Sequence, residues 1–78
     1  MRVFKISKDL IVVCEYKETK NGFKHEATLL RDSREIEKAK SFYVNRTWEK
    51  FDFDSVMKKL AEKTGEKAIL RFVKNRTN

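Results

Sequence analysis

The chain reads as an α+β domain: a small antiparallel sheet, β-β-β-β-α-β in order, with one helix packed across a face. Three observations carry that reading. A turn dipeptide, Asn21-Gly22, separates two runs of alternating apolar and polar residues. A single stretch after Asp52 places apolar residues at helical spacing and stops at a glycine. Seventy-eight residues, 40% of them hydrophobic and 40% charged, suffice for one thin core inside a solvated shell. The expected unit is therefore one domain over 1–78, burying roughly 60–65% of the surface its unfolded chain exposes.

Val3 to Ser7 is a short strand in which Phe4 and Ile6 alternate with Val3 and Lys5, and Ser7-Lys8-Asp9 is its turn. Leu10 to Lys17 and Phe23 to Arg31 form the hairpin. A type I′ turn at Asn21-Gly22 needs φ > 0 at both central positions and sets a register in which paired residue numbers sum to about 43. Tyr16 then faces Ala27 and Cys14 faces Leu29 on an apolar side continued by Leu10 and Val12. On the other side Lys17 meets Glu26, Glu15 meets Thr28 and Val13 meets Leu30.

Asp32-Ser33-Arg34 is a second turn, and Glu35 to Asn45 a fourth strand. Ile36, Phe42 and Val44 share one parity that Lys38 and Lys40 interrupt, so the first half equally fits irregular backbone or one turn of helix. For the helix, Asp52 is the expected cap, Phe51 staples onto Val56, and Asp54 lies in the first turn where the dipole favours an anion. Phe53, Val56, Met57, Leu60 and Ala61 make its apolar stripe, opposite Ser55, Lys58, Lys59, Glu62 and Lys63, and Gly65 ends it. A last strand, Lys67 to Lys74, sets Ala68, Leu70 and Phe72 against Ile69, Arg71 and Val73. Asn75 to Asn78 is expected to fray.

The net charge of +7 is uneven: residues 1–31 contribute +3, residues 32–54 contribute −1, and residues 55–78 contribute +5. A basic last third attracts nucleic acid, an anionic surface or an acidic protein, and equally serves as a solvated lysine-rich face. Cys14 is the only cysteine, so no disulfide forms within the chain and a reducing, cytoplasmic location is expected. No apolar run approaches the roughly 18 residues of a membrane span, and no signal-peptide core follows Met1.

Catalytic chemistry finds little to work with. The expected register puts His25 opposite Glu18 near the hairpin tip and separates it from Cys14 by roughly 14 Å of strand, too far for a nucleophile–base pair. One His and one Cys give no zinc-type spacing, and two glycines give no phosphate loop, so neither enzyme nor cofactor is expected. The best site candidate is the connection Asn45-Arg46-Thr47-Trp48. There an indole beside a guanidinium can stack on a base while Asn45 and Thr47 supply hydrogen bonds. The alternative is that Trp48 closes the small core. Separately, a basic surface of Lys58, Lys59, Lys63, Lys67, Arg71, Lys74 and Arg76 can track phosphates, with Lys59, Lys63 and Arg71 the principal candidates. Lys59 and Lys63 share one face and the last strand's residues another, so this surface is only partly continuous.

Two segments also resemble a group of short proteins encoded by bacteriophages, prophages and related mobile elements. They are Gly22-Phe23-Lys24-His25 with Ala27-Thr28-Leu29, and the run from Phe42-Tyr43-Val44-Asn45-Arg46-Thr47-Trp48-Glu49 to Val56. The resemblance implies a small intracellular domain of viral or mobile-element type and transfers no active site. Together these readings favour a non-enzymatic binding module with nucleic acid as partner. The alternative is a factor that acts on a host protein, or that self-associates, through its Trp48 region or a sheet edge.

Overall fold

The computed structural model describes residues 1–43 and 53–77. Four strands, β1 (Arg2–Lys5), β2 (Leu10–Thr19), β3 (Gly22–Arg31) and β4 (Arg34–Tyr43), form an antiparallel sheet in the order β1-β2-β3-β4. Two helices, α1 (Asp54–Thr64) and α2 (Lys67–Thr77), close one face of it. The α+β class holds, with two helices where one was expected.

The β2–β3 hairpin turns one residue earlier than the Asn21-Gly22 signal implies. Thr19 pairs with Gly22, so Lys20 and Asn21 make the turn and partner numbers run Cys14 with Ala27 and Val12 with Leu29. Gly22 is a strand residue, and the left-handed positions among the described residues are Asp32, Ser33 and Gly65. The slip moves each partner by two, which preserves the face of every side chain. It also brings three strands of ten residues into step, joined by two-residue turns. The second of these, Asp32–Ser33, has φ of 51° and 66°, the backbone a type I′ turn requires. Asp32 N–H reaches back to the Asp9 carbonyl at 3.1 Å, tying this turn to the start of β2.

The register sets like charges opposite one another, Glu15 against Glu26 and Lys17 against Lys24. Lys17 therefore does not meet Glu26 as expected but pairs with Glu15 at 3.6 Å, and Glu26 takes Lys24 at 3.6 Å and Lys38 at 3.4 Å. In β4, Leu29 faces Glu37 and Leu30 faces Glu35, so Ile36 is the extra residue of a bulge. The parity shared by Ile36 and Phe42 is not the core side: these residues are 50% and 68% exposed, and Ala39 is the buried one. Val44 lies outside the described residues.

Phe4, Leu10, Val12, Cys14, Ala27, Leu29 and Ala39 give the sheet its inner face, and Phe53, Val56, Met57, Leu60, Ala61, Ile69 and Val73 fill it from the helices. Helix α1 starts from Phe53, whose carbonyl accepts the Met57 N–H at 2.9 Å with no side-chain cap bond. The expected Asp52 cap and Phe51 staple lie outside the described residues. Gly65, at φ 74°, returns its N–H to the Ala61 carbonyl at 2.8 Å and ends the helix as read.

The segment expected as a last strand is instead α2. Apolar residues at 68, 69, 70, 72 and 73 satisfy alternation over a short window and equally satisfy a helical face. Burial decides between them: Ile69 and Val73, one turn apart, are fully inside, while Arg71 between them is exposed. Lys, Ala, Leu and Arg also favour helix, and the expected frayed tail is helical as far as Thr77. Arg76 secures that end. Its guanidinium lies 4.5 Å from the Phe4 ring centroid and 3.4 Å from Asp54 Oδ1, joining the end of α2 to β1 and to the start of α1.

Candidate functional site

Of the expected site residues, the three that are described, Lys59, Lys63 and Arg71, do not share one surface. Asn45, Arg46, Thr47 and Trp48 lie outside the described residues. Lys59 and Lys63, one turn apart on α1, reach sideways to β4. Lys59 Nζ donates to the Lys40 carbonyl and Lys63 Nζ to the Lys38 carbonyl, each at 2.9 Å. Lys63 also lies 3.4 Å from Glu37. Arg71 is exposed on α2, which packs along α1 and reaches β1 through Phe72 and Phe4. Lys59 and Lys63 therefore flank the β4 edge, and Arg71 belongs to a different surface.

Helical geometry assembles that surface. Lys67, Arg71 and Lys74 stand at i, i+4 and i+7 on α2, opposite the buried Ile69 and Val73. A strand would have sent Lys74 to the other face. The acids nearby are drawn away from this stripe: Glu66 pairs with Arg31 at 3.1 Å, and Asp54 with Arg76 at 3.4 Å. Arg76, expected to face a ligand, is thus turned toward the core.

The hairpin face of the core holds the chemistry-bearing residues. His25 is wholly buried, not at the surface as expected, and it faces Tyr16 in place of Glu18. Its ring centroid lies 4.8 Å from Phe53, 5.4 Å from Phe23 and 6.0 Å from Tyr16, an aromatic cage between the sheet and the start of α1. Burial pushes the Cys14 thiol up to about 12, against the opposing pull of Arg76 and Arg2, so it stays protonated at neutral pH. Among the described residues no three His, Cys, Asp or Glu side chains gather as a metal site would require. No helix there is long and apolar enough to cross a membrane.

On the outer face, Glu26 titrates below the usual carboxylate range. Burial opposes this, but the ammonium groups of Lys38, Lys17 and Lys24 outweigh it. Glu37 is lowered as well, first by the Lys38 backbone N–H and then by Lys63. Lys38 is correspondingly raised, chiefly by its hydrogen bond to Glu26 and by Glu35. Glu37, Lys38 and Lys40 were not among the expected site residues. Their signal was the run of alternating charge in β4, a pattern that edge strands use to stay soluble. No protein-family model, no curated protein and no solved structure matches this chain.

Proposed function

We propose that the protein is a non-enzymatic binding module that engages nucleic acid through the outward face of α2, inside the cell of a host in which it acts as a small mobile-element factor. The observation that carries this reading is the stripe of Lys67, Arg71 and Lys74, beside which Glu66 and Asp54 are each held by an arginine. Such a stripe matches a phosphate backbone in charge and makes no demand on base sequence. Lys59 and Lys63 take a lesser part, because their ammonium groups are bonded to β4 carbonyls. In this reading Arg46 and Trp48 add a stacking contact to an unpaired base.

The test is titration with single- and double-stranded oligonucleotides at several salt concentrations. Each duplex phosphate contact adds about 0.9 to the log–log salt slope, so replacing Lys67, Arg71 and Lys74 together with alanine should reduce the slope by about 2–3. Replacing Lys59 and Lys63 should change it by less. Binding undetectable at low salt in a folded protein would remove the reading. A second reading, recognition of a host protein, rests on a separate feature at the β4 edge.

A further inference from the structure

Among the described residues β4 is a terminal strand, and the outward groups of a terminal strand normally face water. Here side chains stand where a neighbouring strand would. The Lys38 and Lys40 carbonyls accept from Lys63 and Lys59, and the Lys38 N–H donates to Glu37 Oε1 at 3.1 Å. Because N–H and C=O of one strand residue point the same way, these three bonds mark the hydrogen-bonding edge of β4. Beside it runs an open groove of about 740 Å³, between Lys38, Ala39 and Lys40 on one side and Lys59, Glu62 and Lys63 on the other.

We propose that this groove receives an extended acidic peptide as a fifth strand on β4. Main-chain N–H groups of the incoming strand replace the two ammonium groups at the Lys38 and Lys40 carbonyls, and its carbonyl replaces Glu37 at the Lys38 N–H. The displaced Lys59 and Lys63 then meet carboxylates on the helix side of the peptide, whose alternate, apolar residues lie on the other side. The exchange gives the ammonium groups of Lys59 and Lys63 new anionic partners, which a basic or apolar strand would not supply. A second copy of the chain fits poorly: antiparallel pairing of β4 with itself about Ala39 sets Lys38 against Lys40 twice. Nucleic acid fits poorly too, since it offers no donors for the edge carbonyls in strand register.

The experiment uses the full chain and a fluorescent peptide of about ten residues alternating Glu and Val, long enough for one strand. A second peptide carries N-methyl groups on alternate amides, and both are followed by anisotropy and by amide chemical shifts of the protein. The expected result is saturable binding of the first peptide, shifts centred on Lys38 and Lys40, and loss of binding on N-methylation of the edge-facing amides. Lys59→Gln with Lys63→Gln should weaken binding about five- to tenfold. Lys67→Ala with Arg71→Ala should leave peptide affinity unchanged while weakening oligonucleotide binding, which separates this site from the α2 surface. Equal affinity for the N-methylated peptide, shifts confined to α2, or no binding at about 1 mM peptide in the folded protein would each overturn the proposal.

Discussion

Replacing Ile69 with alanine tests the helical assignment of 67–77 together with its docking. Ile69 is fully buried, in the cluster that includes Leu60, Val73 and Met57. The substitution removes three carbons, a transfer loss of about 2.4 kcal/mol at roughly 0.8 kcal/mol for each. Incomplete collapse around the site adds a cavity cost, giving about 3–4 kcal/mol, inside the range of about 2–5 kcal/mol for such truncations. A domain of this length holds only about 4–12 kcal/mol in total, so the loss is a large fraction of its stability. Urea unfolding followed by far-UV circular dichroism should show a much lower midpoint with an unchanged slope. Arg71→Ala is the paired control. A strand would put Ile69, Arg71 and Val73 on one face, whereas the helix turns Arg71 to solvent, so its loss should stay within about 0.5 kcal/mol. Comparable losses from the two substitutions, or less than about 1 kcal/mol from Ile69→Ala, would refute the placement of α2.

Gly65→Ala should cost about 1 kcal/mol in urea unfolding, because φ there is 74° although open space surrounds the site. Gly22→Ala should cost less, since no left-handed backbone is needed at that strand position. Arg76→Ala should cost about 1–2 kcal/mol through loss of the Phe4 and Asp54 contacts, and Arg76→Lys, which keeps charge but not planarity, should fall between it and the parent chain. The Cys14 thiol is raised in the fold, so the unfolded chain releases its proton first and stability should fall as pH rises above about 8.5; Cys14→Ala should flatten that decline. Glu26 is lowered in the fold, so its stabilisation is present above the unfolded value of about 4.3 and is lost as pH falls through the lower folded value; Glu26→Gln should make acid unfolding shallower.

Residues with one structural meaning were legible in sequence, and those with two were not. The α1 stripe and the Gly65 stop admit one period and one backbone, and both were read correctly. Asn21-Gly22 is a strong local turn signal, yet the observed turn is Lys20-Asn21, which keeps β2, β3 and β4 at ten residues each. The 67–74 segment is ambiguous in sequence because its apolar residues fit a period of 2 as well as 3.6 over so short a window. His25 reads as exposed beside its expected neighbour Glu18, but it shares the inward parity of Ala27 and Leu29, and Phe53 at the start of α1 covers it. Of the candidate site, the basic residues themselves were legible, but their grouping depended on whether 67–77 was strand or helix.

The nineteen Lys and Arg residues are not all available to a ligand. Arg31 and Arg76 are engaged with Glu66 and Asp54, Lys24 and Lys38 with Glu26, and Lys59 and Lys63 with the β4 edge. A small core explains this use of cations. Among the described residues seven buried apolar side chains from α1, α2 and Phe53 face the sheet, and long basic side chains extend that cover. Arg76 roofs the Phe4 ring, and Lys59 and Lys63 occupy the Lys40 and Lys38 carbonyls on the β4 edge. Lys58, Lys67 and Arg71 carry no ion pair among the described residues, and two of these three lie on the α2 stripe. The separation makes the two surfaces experimentally distinct: salt should act steeply on whatever α2 binds, whereas a strand on β4 should be governed by its main-chain amides and only secondarily by salt.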